Sequence, residues 1–397
     1  MENEINKILN LFYSGDFDNT IRKAKILSRK NPKNSFLKNL IGSAFLQINN
    51  TNEAIKNFEL SIELSPKNIA PRNNLANAYK LKGEYKLAEK CYLKILDYAP
   101  NYINALVGYG DLRMTLNETN DAIELLKKAI SIKADNYAAH YNLATAYQTV
   151  GKYAESIDHA KLSIKSNPNF TPADKLISSL KKYNKDDPHL VDMKEKLNDE
   201  KISTLHKAYL HFSLAKAYED LKDFDKYIEH IKKGNETRKK VSEYNVNSHI
   251  NLINKIKLIF KNINYADIKL KNNNKNIIFI LGMPRSGSSL LEKMLSGHEK
   301  ILGTGELPFL RQLISEKFLD TFSIHGSHSQ LNDMAEDYIR KTEAFKGNQK
   351  FIIDKNPFNF IYIGFIKILF PKAKVIHIKR DAKAVSYTHL TLPTKRI

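Results

Sequence analysis

Cysteine and long apolar runs are almost absent from this chain of 397 residues. Cys91 is the single cysteine, which excludes an intrachain disulfide and a cysteine-based zinc site and indicates a reducing compartment. No apolar run is long enough to cross a bilayer, and the first residues lack the basic and apolar segments of a signal peptide. We therefore expect a cytoplasmic protein without a membrane span.

Acidic residues are in deficit, with 43 Asp and Glu against 63 Lys and Arg, which gives a formal net charge of +20. Such a balance favours anionic partners. Much of the lysine alternates with glutamate and asparagine along helical segments, so we interpret it as a solvated basic surface. Because neither a recognition motif nor an aromatic stacking pattern accompanies the charge, no nucleic-acid partner is predicted.

The length is sufficient for two or three domains, and the first part of the chain is repetitive. In the unit at 35–68, Gly42 and Ala54 occupy positions where paired helices approach closely, Phe58 is apolar, and Pro66 ends the second helix. The same pattern recurs every 34 residues. The units span residues 1–34, 35–68, 69–102, 103–136 and 137–170, and a sixth is expected at about 208–241.

This pattern resembles the tetratricopeptide repeat (TPR), which has the same period. We assign residues 1–241 to a helical TPR solenoid, with an exposed break at 184–188. A solenoid of this kind presents a concave surface for a peptide or protein segment. A role as a scaffold or dimerisation module is an equally open interpretation.

The periodicity changes after the repeats. Residues 242–275 form a connector, helical at about 247–262 and polar at 271–276. From 276 to 385, short apolar strands at 277–281, 351–353 and 375–378 alternate with helical segments, which predicts a parallel sheet in an α/β domain. The stretch at 307–345 is predicted to be helical, with a loop at 323–328.

A glycine-bounded turn follows the first of these strands. Gly282 and Gly287 have the spacing of a nucleotide-binding P-loop, in which backbone N–H groups surround an anion at a helix N-terminus. Ser288 stands where a nucleoside triphosphatase needs lysine, and Arg285 lies inside the loop instead. The pattern therefore indicates a phosphorylated donor other than a nucleoside triphosphate.

Three further polar residues follow predicted strands. Glu306 comes after the segment 300–303, Lys355 after 351–353, and Arg380 after 375–378. Because ligands of an open parallel sheet bind beyond the carboxyl ends of its strands, we expect these side chains and Arg285 at one edge. Three cations and one carboxylate suit an anionic donor and a single proton acceptor.

Four motifs in this order carry a family resemblance. They are Ile-Phe-Ile-Leu-Gly-Met-Pro-Arg-Ser-Gly-Ser-Ser-Leu-Leu, Gly-Thr-Gly-Glu-Leu, Asp-Lys-Asn-Pro-Phe-Asn-Phe and Val-Ile-His-Ile-Lys-Arg-Asp. With the repeats, they resemble bacterial TPR-containing sulfotransferases that use 3′-phosphoadenosine 5′-phosphosulfate (PAPS), and more distantly the tyrosylprotein sulfotransferases. The resemblance implies a P-loop-like α/β domain after the solenoid and transfer of a sulfonyl group to an acceptor hydroxyl.

The resemblance also implies roles for individual residues. Glu306 corresponds to the carboxylate general base, Lys355 to the cation that neutralises charge during transfer, Arg285 to the ligand of the anionic oxygens, and Arg380 to the ligand of the 3′-phosphate. No metal is expected. The residues implied to hold the 5′-phosphosulfate are Gly282, Pro284, Arg285, Ser286, Gly287, Ser288 and Ser289.

Each assignment has a structural alternative. Glu306 would cap a helix beginning near Leu307, Lys355 would pair with Asp354, and Arg380 with Asp381. Two functional rivals also remain at this level, an ATP-dependent P-loop kinase and a non-enzymatic TPR adaptor. The acceptor is open among a peptide tyrosine, a saccharide and a small hydroxylated molecule.

Residues 386–397 have neither helical nor strand periodicity and resemble a translated sequencing-library adapter. The family places a phosphate-binding serine eight residues after Arg380, where this chain has Thr388. We therefore expect a non-native tail, a C-terminally truncated transferase domain of residues 276–385, and weak or no activity of this chain. A natural disordered tail is the alternative.

Overall fold

The computed structural model describes residues 2–242, 245–261, 263, 268, 270, 276–317, 328–345, 347–381 and 383–385. It divides the chain into two compact units, Met1–Gly234 and Asn235–Ile397. The predicted tail at 386–397, the polar linker at 271–275 and most of the predicted loop at 323–328 lie outside the described residues.

The first unit is built from consecutive helices that pack in pairs along the predicted repeats. The pairs are α1 (Glu2–Tyr13) with α2 (Phe17–Lys30), α3 (Ser35–Gln47) with α4 (Thr51–Leu64), α5 (Ile69–Leu81) with α6 (Tyr85–Tyr98), α7 (Ile103–Thr115) with α8 (Thr119–Ile132), and α9 (Tyr137–Thr149) with α10 (Tyr153–Ser166).

Small residues explain how closely the paired helices approach. A Cβ atom added to Gly42 of α3 would lie 2.7 Å from the ring of Phe58 of α4, and one added to Gly110 of α7 would lie 2.9 Å from Leu126 of α8. Phe58 and Leu126 are fully buried. The small residue at this position, glycine in these two pairs, therefore makes room for the large apolar residue of the second helix.

The segment after the fifth pair is also helical, although it lies between the fifth and sixth predicted repeat units. It contains α11 (Pro172–Leu180) and α12 (Pro188–Leu197), followed by α13 (Thr204–Asp220) and α14 (Phe224–Val241). Both extra helices are short and begin with proline, which suits the first helical position. At the predicted break, residues 184–186 and Pro188 are exposed, whereas Asp187 is buried and caps α12.

The second unit combines helices with a parallel sheet. A 3₁₀ turn at Pro357–Tyr362 lies between its third strand and its last helix. The remaining elements are α15 (Val246–Phe260), β1 (Ile277–Gly282), α16 (Ser288–Ser296), β2 (Ile301–Gly303), α17 (Phe309–Lys317), α18 (His328–Thr342), β3 (Phe351–Asp354), α19 (Ile363–Leu369) and β4 (Lys374–Ile378).

The strands are ordered β2-β3-β1-β4, and every pairing is parallel. All residues of β1 are buried, as expected for an interior strand with both faces covered. Phe279 of β1, Tyr338 of α18 and Phe370 pack together, with ring centroids 4.9–5.9 Å apart. The predicted fold class, a helical solenoid followed by an α/β domain with a parallel sheet, is confirmed.

Helix length and apolarity decide whether a helix can cross a bilayer. Across the ranges given above, none of the helices is both long enough and apolar enough to span a membrane.

Candidate active site

The parallel sheet brings the four predicted polar residues to one edge. Glu306 follows β2, Lys355 follows β3, the loop with Arg285 follows β1, and Arg380 follows β4. Because every strand runs in the same direction, all four lie beyond the carboxyl ends, in the order of the strands. Neighbouring strands are about 4.8 Å apart, so the three spacings from β2 to β4 cover about 14 Å.

The loop between β1 and α16 has a backbone that depends on glycine. Gly282 has φ +149°, and a Cβ atom there would lie 2.4 Å from the carbonyl oxygen of Ile378 in β4. Gly287 has φ +103° and directly precedes Ser288, the first residue of α16. The first amides of a helix have no intrahelical acceptor and carry the positive end of its dipole. The loop therefore presents backbone donors of the kind that suit an anion.

Side chains of this loop add to the donor set. Ser286 and Ser288 are buried, Pro284 is half-buried, and Arg285 and Ser289 are exposed. The buried Oγ of Ser286 has no hydrogen-bond partner within the described chain. A buried hydroxyl without a partner is costly, and an oxygen of a bound anion would satisfy it. The residues of the loop thus fit a phosphate or sulfate group.

Arg380 ties β4 to the loop. Its Nη1 donates a hydrogen bond to the carbonyl oxygen of Arg285 at 3.1 Å, and both side chains are exposed. The carboxylate of Asp381 accepts from the backbone N–H groups of Lys383 and Ala384, at 2.9 and 3.1 Å. Arg380 therefore contacts the loop between β1 and α16, and the alternative of a local pair with Asp381 does not account for this contact.

Lys355 and Glu306 form the second contact at this edge. The Nζ atom of Lys355 donates to Oε1 of Glu306 at 2.7 Å. The Lys355 side chain is only 7% exposed, whereas that of Glu306 is 58% exposed. The pair thus places a buried cation beneath a carboxylate that solvent or an acceptor can reach.

Hydrogen bonds join the loop after β2 to the loop after β3. The N–H group of Lys355 donates to the carbonyl oxygen of Gly305 at 2.9 Å, and Oγ1 of Thr304 donates to that of Ile353 at 2.7 Å. One residue further on, Nδ2 of Asn356 donates to the carbonyl oxygen of Leu307 at 3.1 Å. These contacts fix the backbone on both sides of the Lys355–Glu306 pair.

Asp354 does not pair with Lys355, because the Nζ atom of Lys355 donates to Glu306 and Asp354 has other partners. Its buried Oδ2 accepts from the hydroxyl of Tyr338 at 2.7 Å and from Nδ2 of Asn359 at 3.1 Å. Burial raises the pKa of Asp354 to about 7, and these two hydrogen bonds offset only part of the rise. Tyr338 belongs to α18, and no motif in the sequence points to it.

The helix-capping interpretation of Glu306 is not supported either. Helix α17 begins at Phe309 rather than near Leu307, and the carboxylate of Glu306 accepts from Lys355. As for metal ligands, no group of three or more His, Cys, Asp or Glu side chains is suitably placed in the part of the chain that the structure describes.

The fold defines an α/β domain with a parallel sheet, joined in the chain to a unit of helical repeats. Comparison with known families gives the particular assignment. Residues 277–395 match the sulfotransferase family, residues 37–68, 71–102 and 137–170 match the tetratricopeptide repeat, and residues 110–151 match a further TPR model. The chain therefore carries tetratricopeptide repeats followed by a sulfotransferase-family domain, as the resemblance predicted.

Individual relatives match parts of the chain. An "Uncharacterized protein" of Aquifex aeolicus (strain VF5) is 27% identical over 302 residues, 72% of this chain and 38% of that protein, so the chain spans about two fifths of its length. A "Putative protein-tyrosine sulfotransferase" of Caenorhabditis briggsae is 26% identical over 121 residues, 29% of this chain and 43% of that protein. A solved TPR protein of Thermus thermophilus is 18% identical with a TM-score of 0.42, over 45% of this chain and 97% of that one.

Proposed function

We propose that the second unit transfers a sulfonyl group from PAPS to an acceptor hydroxyl. The observation that carries the proposal is the Lys355–Glu306 contact at the same sheet edge as an anion-binding loop without the P-loop lysine. A buried cation and an accessible carboxylate beside such a loop supply charge stabilisation and a proton acceptor. PAPS, when bound, supplies the activated sulfonyl group.

The loop residues would hold the 5′-phosphosulfate end of the donor. The N–H groups of Gly287, Ser288 and Ser289 and the hydroxyl of Ser286 would donate to its oxygens, and the Arg285 guanidinium would balance its charge. The N–H group of Ser286 is already used, because it donates to the carbonyl oxygen of Met283 at 3.2 Å. Gly282 permits the close packing of the loop against β4, and Pro284 restricts its backbone. Arg380, already bonded to the carbonyl oxygen of Arg285, would hold the 3′-phosphate.

Glu306 and Lys355 would act on the acceptor and on the developing charge. The exposed carboxylate of Glu306 would accept the proton of the attacking hydroxyl. The Nζ atom of Lys355 would donate to an oxygen on which negative charge increases. As in phosphoryl transfer, the protein's contribution is mainly position and fixed charge, so no covalent intermediate with the chain is required.

The acceptor would be a peptide tyrosine, a saccharide or a small molecule, and the TPR unit would bind a protein or peptide at its concave face. The name of the C. briggsae relative favours the peptide tyrosine. The low cysteine content favours a cytoplasmic location.

A nucleotide-binding series tests the donor. Isothermal titration would compare adenosine 3′,5′-bisphosphate with ATP–Mg²⁺, using wild type, Arg285→Ala and the exposed Arg311→Ala as a matched control. We expect the bisphosphate to bind more tightly than ATP, and Arg285→Ala to weaken it by roughly 10- to 100-fold, the range of a hydrogen bond to a charged group. Arg311→Ala should bind as wild type does.

Two outcomes would contradict the proposal. Tighter binding of ATP–Mg²⁺ would indicate a P-loop kinase. Failure of both nucleotides to bind, in a protein whose first unit still captures a peptide, would indicate an adaptor. Transfer of labelled sulfonate from PAPS to a tyrosine peptide, a saccharide or a small phenol would then identify the acceptor class.

A further inference from the structure

The peptide groups on both sides of Gly305 are held by hydrogen bonds, and Gly305 directly precedes Glu306. Its N–H group donates to Oε1 of Glu292 at 2.7 Å, and its carbonyl oxygen accepts from the N–H group of Lys355 at 2.9 Å. Gly305 has φ +74°, a conformation that other residues rarely adopt. The backbone from which Glu306 projects is therefore fixed by α16 on one side and by the loop after β3 on the other.

The same helix begins at the anion-binding loop. Glu292 comes four residues after Ser288, so the two lie on the same face of α16, one turn apart. The helix also packs tightly on β2, because a Cβ atom on Gly303 would lie 2.4 Å from Oγ of Ser296 and 3.1 Å from Oε1 of Glu292. Any movement of α16 along β2 would consequently break the bond to Gly305.

We propose that Glu292 is a positioning residue, which sets the place of Glu306 relative to the anion-binding loop through the Gly305 N–H group. This inference rests on the proposed function, in which Glu306 accepts the proton. Glu292 contacts neither donor nor acceptor. One helix carries the anion site at its first turn and holds the loop of the proton acceptor at its second, so both ends of the reaction share a single rigid element.

Two conservative variants of Glu292 separate the effect of side-chain length from the effect of its negative charge. Glu292→Asp keeps the charge but is one methylene shorter and loses its reach to Gly305, whereas Glu292→Gln keeps an acceptor oxygen at the same reach and loses the charge. Lys293→Ala, an exposed neighbour on α16, is the matched control. The measurements are hydrogen exchange of the Gly305 amide, kcat for sulfonyl transfer, and affinity for adenosine 3′,5′-bisphosphate.

We expect Glu292→Asp to speed exchange at Gly305 and to lower kcat, each by roughly 10- to 100-fold, with affinity for the bisphosphate unchanged within about twofold. Glu292→Gln and Lys293→Ala should stay within about threefold of wild type in all three measurements. A merely structural role would not separate kcat from donor affinity in this way.

The proposal is overturned if Glu292→Asp behaves as wild type, or if Glu292→Gln loses as much as Glu292→Asp. The proposed function fails separately, if the wild-type protein binds ATP–Mg²⁺ more tightly than adenosine 3′,5′-bisphosphate. In that event, exchange at Gly305 in the two variants still decides whether Glu292 holds the loop.

Discussion

Asp354→Asn tests the electrostatics beneath Lys355. Asp354 is fully buried, and burial raises its pKa from 3.8 to about 7. A difference of roughly 3 pKa units corresponds to about 4 kcal/mol of folding free energy, with no reduction for solvent because the carboxyl group is not exposed. Asparagine preserves the shape and can offer its oxygen to Tyr338 and Asn359, while removing the titration.

The direction of the pKa change of Asp354 decides whether the protein gains or loses stability as the pH rises. The folded protein binds the Asp354 proton more tightly than the unfolded chain does, so this contribution to stability is fully present below pH 3.8. It is lost progressively as the pH rises to about 7. The free energy of unfolding of Asp354→Asn, minus that of wild type, should therefore increase by about 4 kcal/mol between pH 3.8 and pH 8.

Hydrogen exchange of the β1 and β3 amides in urea reports this unit without interference from the helical repeats. Asp333→Asn, an exposed carboxylate on α18, is the matched control and should give a difference that does not change with pH. If the difference between Asp354→Asn and wild type were equally constant from pH 4 to pH 8, Asp354 would not titrate in that window, and the reasoning would be refuted.

Two further predictions concern the anion-binding loop and the first unit. Gly282→Ala should destabilise the second unit by at least about 3 kcal/mol in urea, because the added Cβ atom meets a backbone carbonyl of β4. Gly287→Ala should cost only about 1–2 kcal/mol, because Gly287 has φ +103° but open space around its Cβ position. Equal losses of stability in the two variants would contradict the packing argument. Burial lowers the pKa of His211 from 6.5 to about 4, so charging it opposes folding, and wild type should lose stability between pH 6.5 and pH 4. His211→Gln should lose less over the same range in thermal unfolding followed by circular dichroism, and a parallel fall in both proteins would exclude this role of His211.

Local signals in the sequence suffice for part of the site. The spacing of Gly282 and Gly287 and the apolar run before them predict a strand, an anion-binding loop and a helix, because these features depend on neighbouring residues alone. The positions of Glu306, Lys355 and Arg380 after short apolar runs are predictable for the same reason. Family resemblance then supplies their expected chemistry.

The partners of these residues are not predictable in the same way. The order of the strands in the sheet, β2-β3-β1-β4, cannot be predicted from their order along the chain. The reason is that β3 inserts between β2 and β1, which precede it in the sequence by about fifty residues or more. The Lys355–Glu306 contact depends on that insertion, and so does the Thr304 bond to Ile353. Tyr338 reaches Asp354 from α18, and no periodicity of either segment indicates it.

Within the described part of the second unit, Arg285 is the one non-glycine residue with a positive φ angle. Positive φ angles in the first unit recur at the turn between paired helices, where glycine or asparagine usually stands, and Lys222 occupies the corresponding turn before α14. These turn residues are Gly15, Asn49, Gly83, Asn117, Gly151 and Lys222. Arg285, with φ +69°, is the remaining non-glycine example, and it lies in no helical hairpin. Such a conformation costs about 1–3 kcal/mol and persists only where the surroundings impose it. The bond from Arg380 to its carbonyl oxygen supplies one such restraint, so the strain lies where two cations and the partnerless hydroxyl of Ser286 converge on one loop.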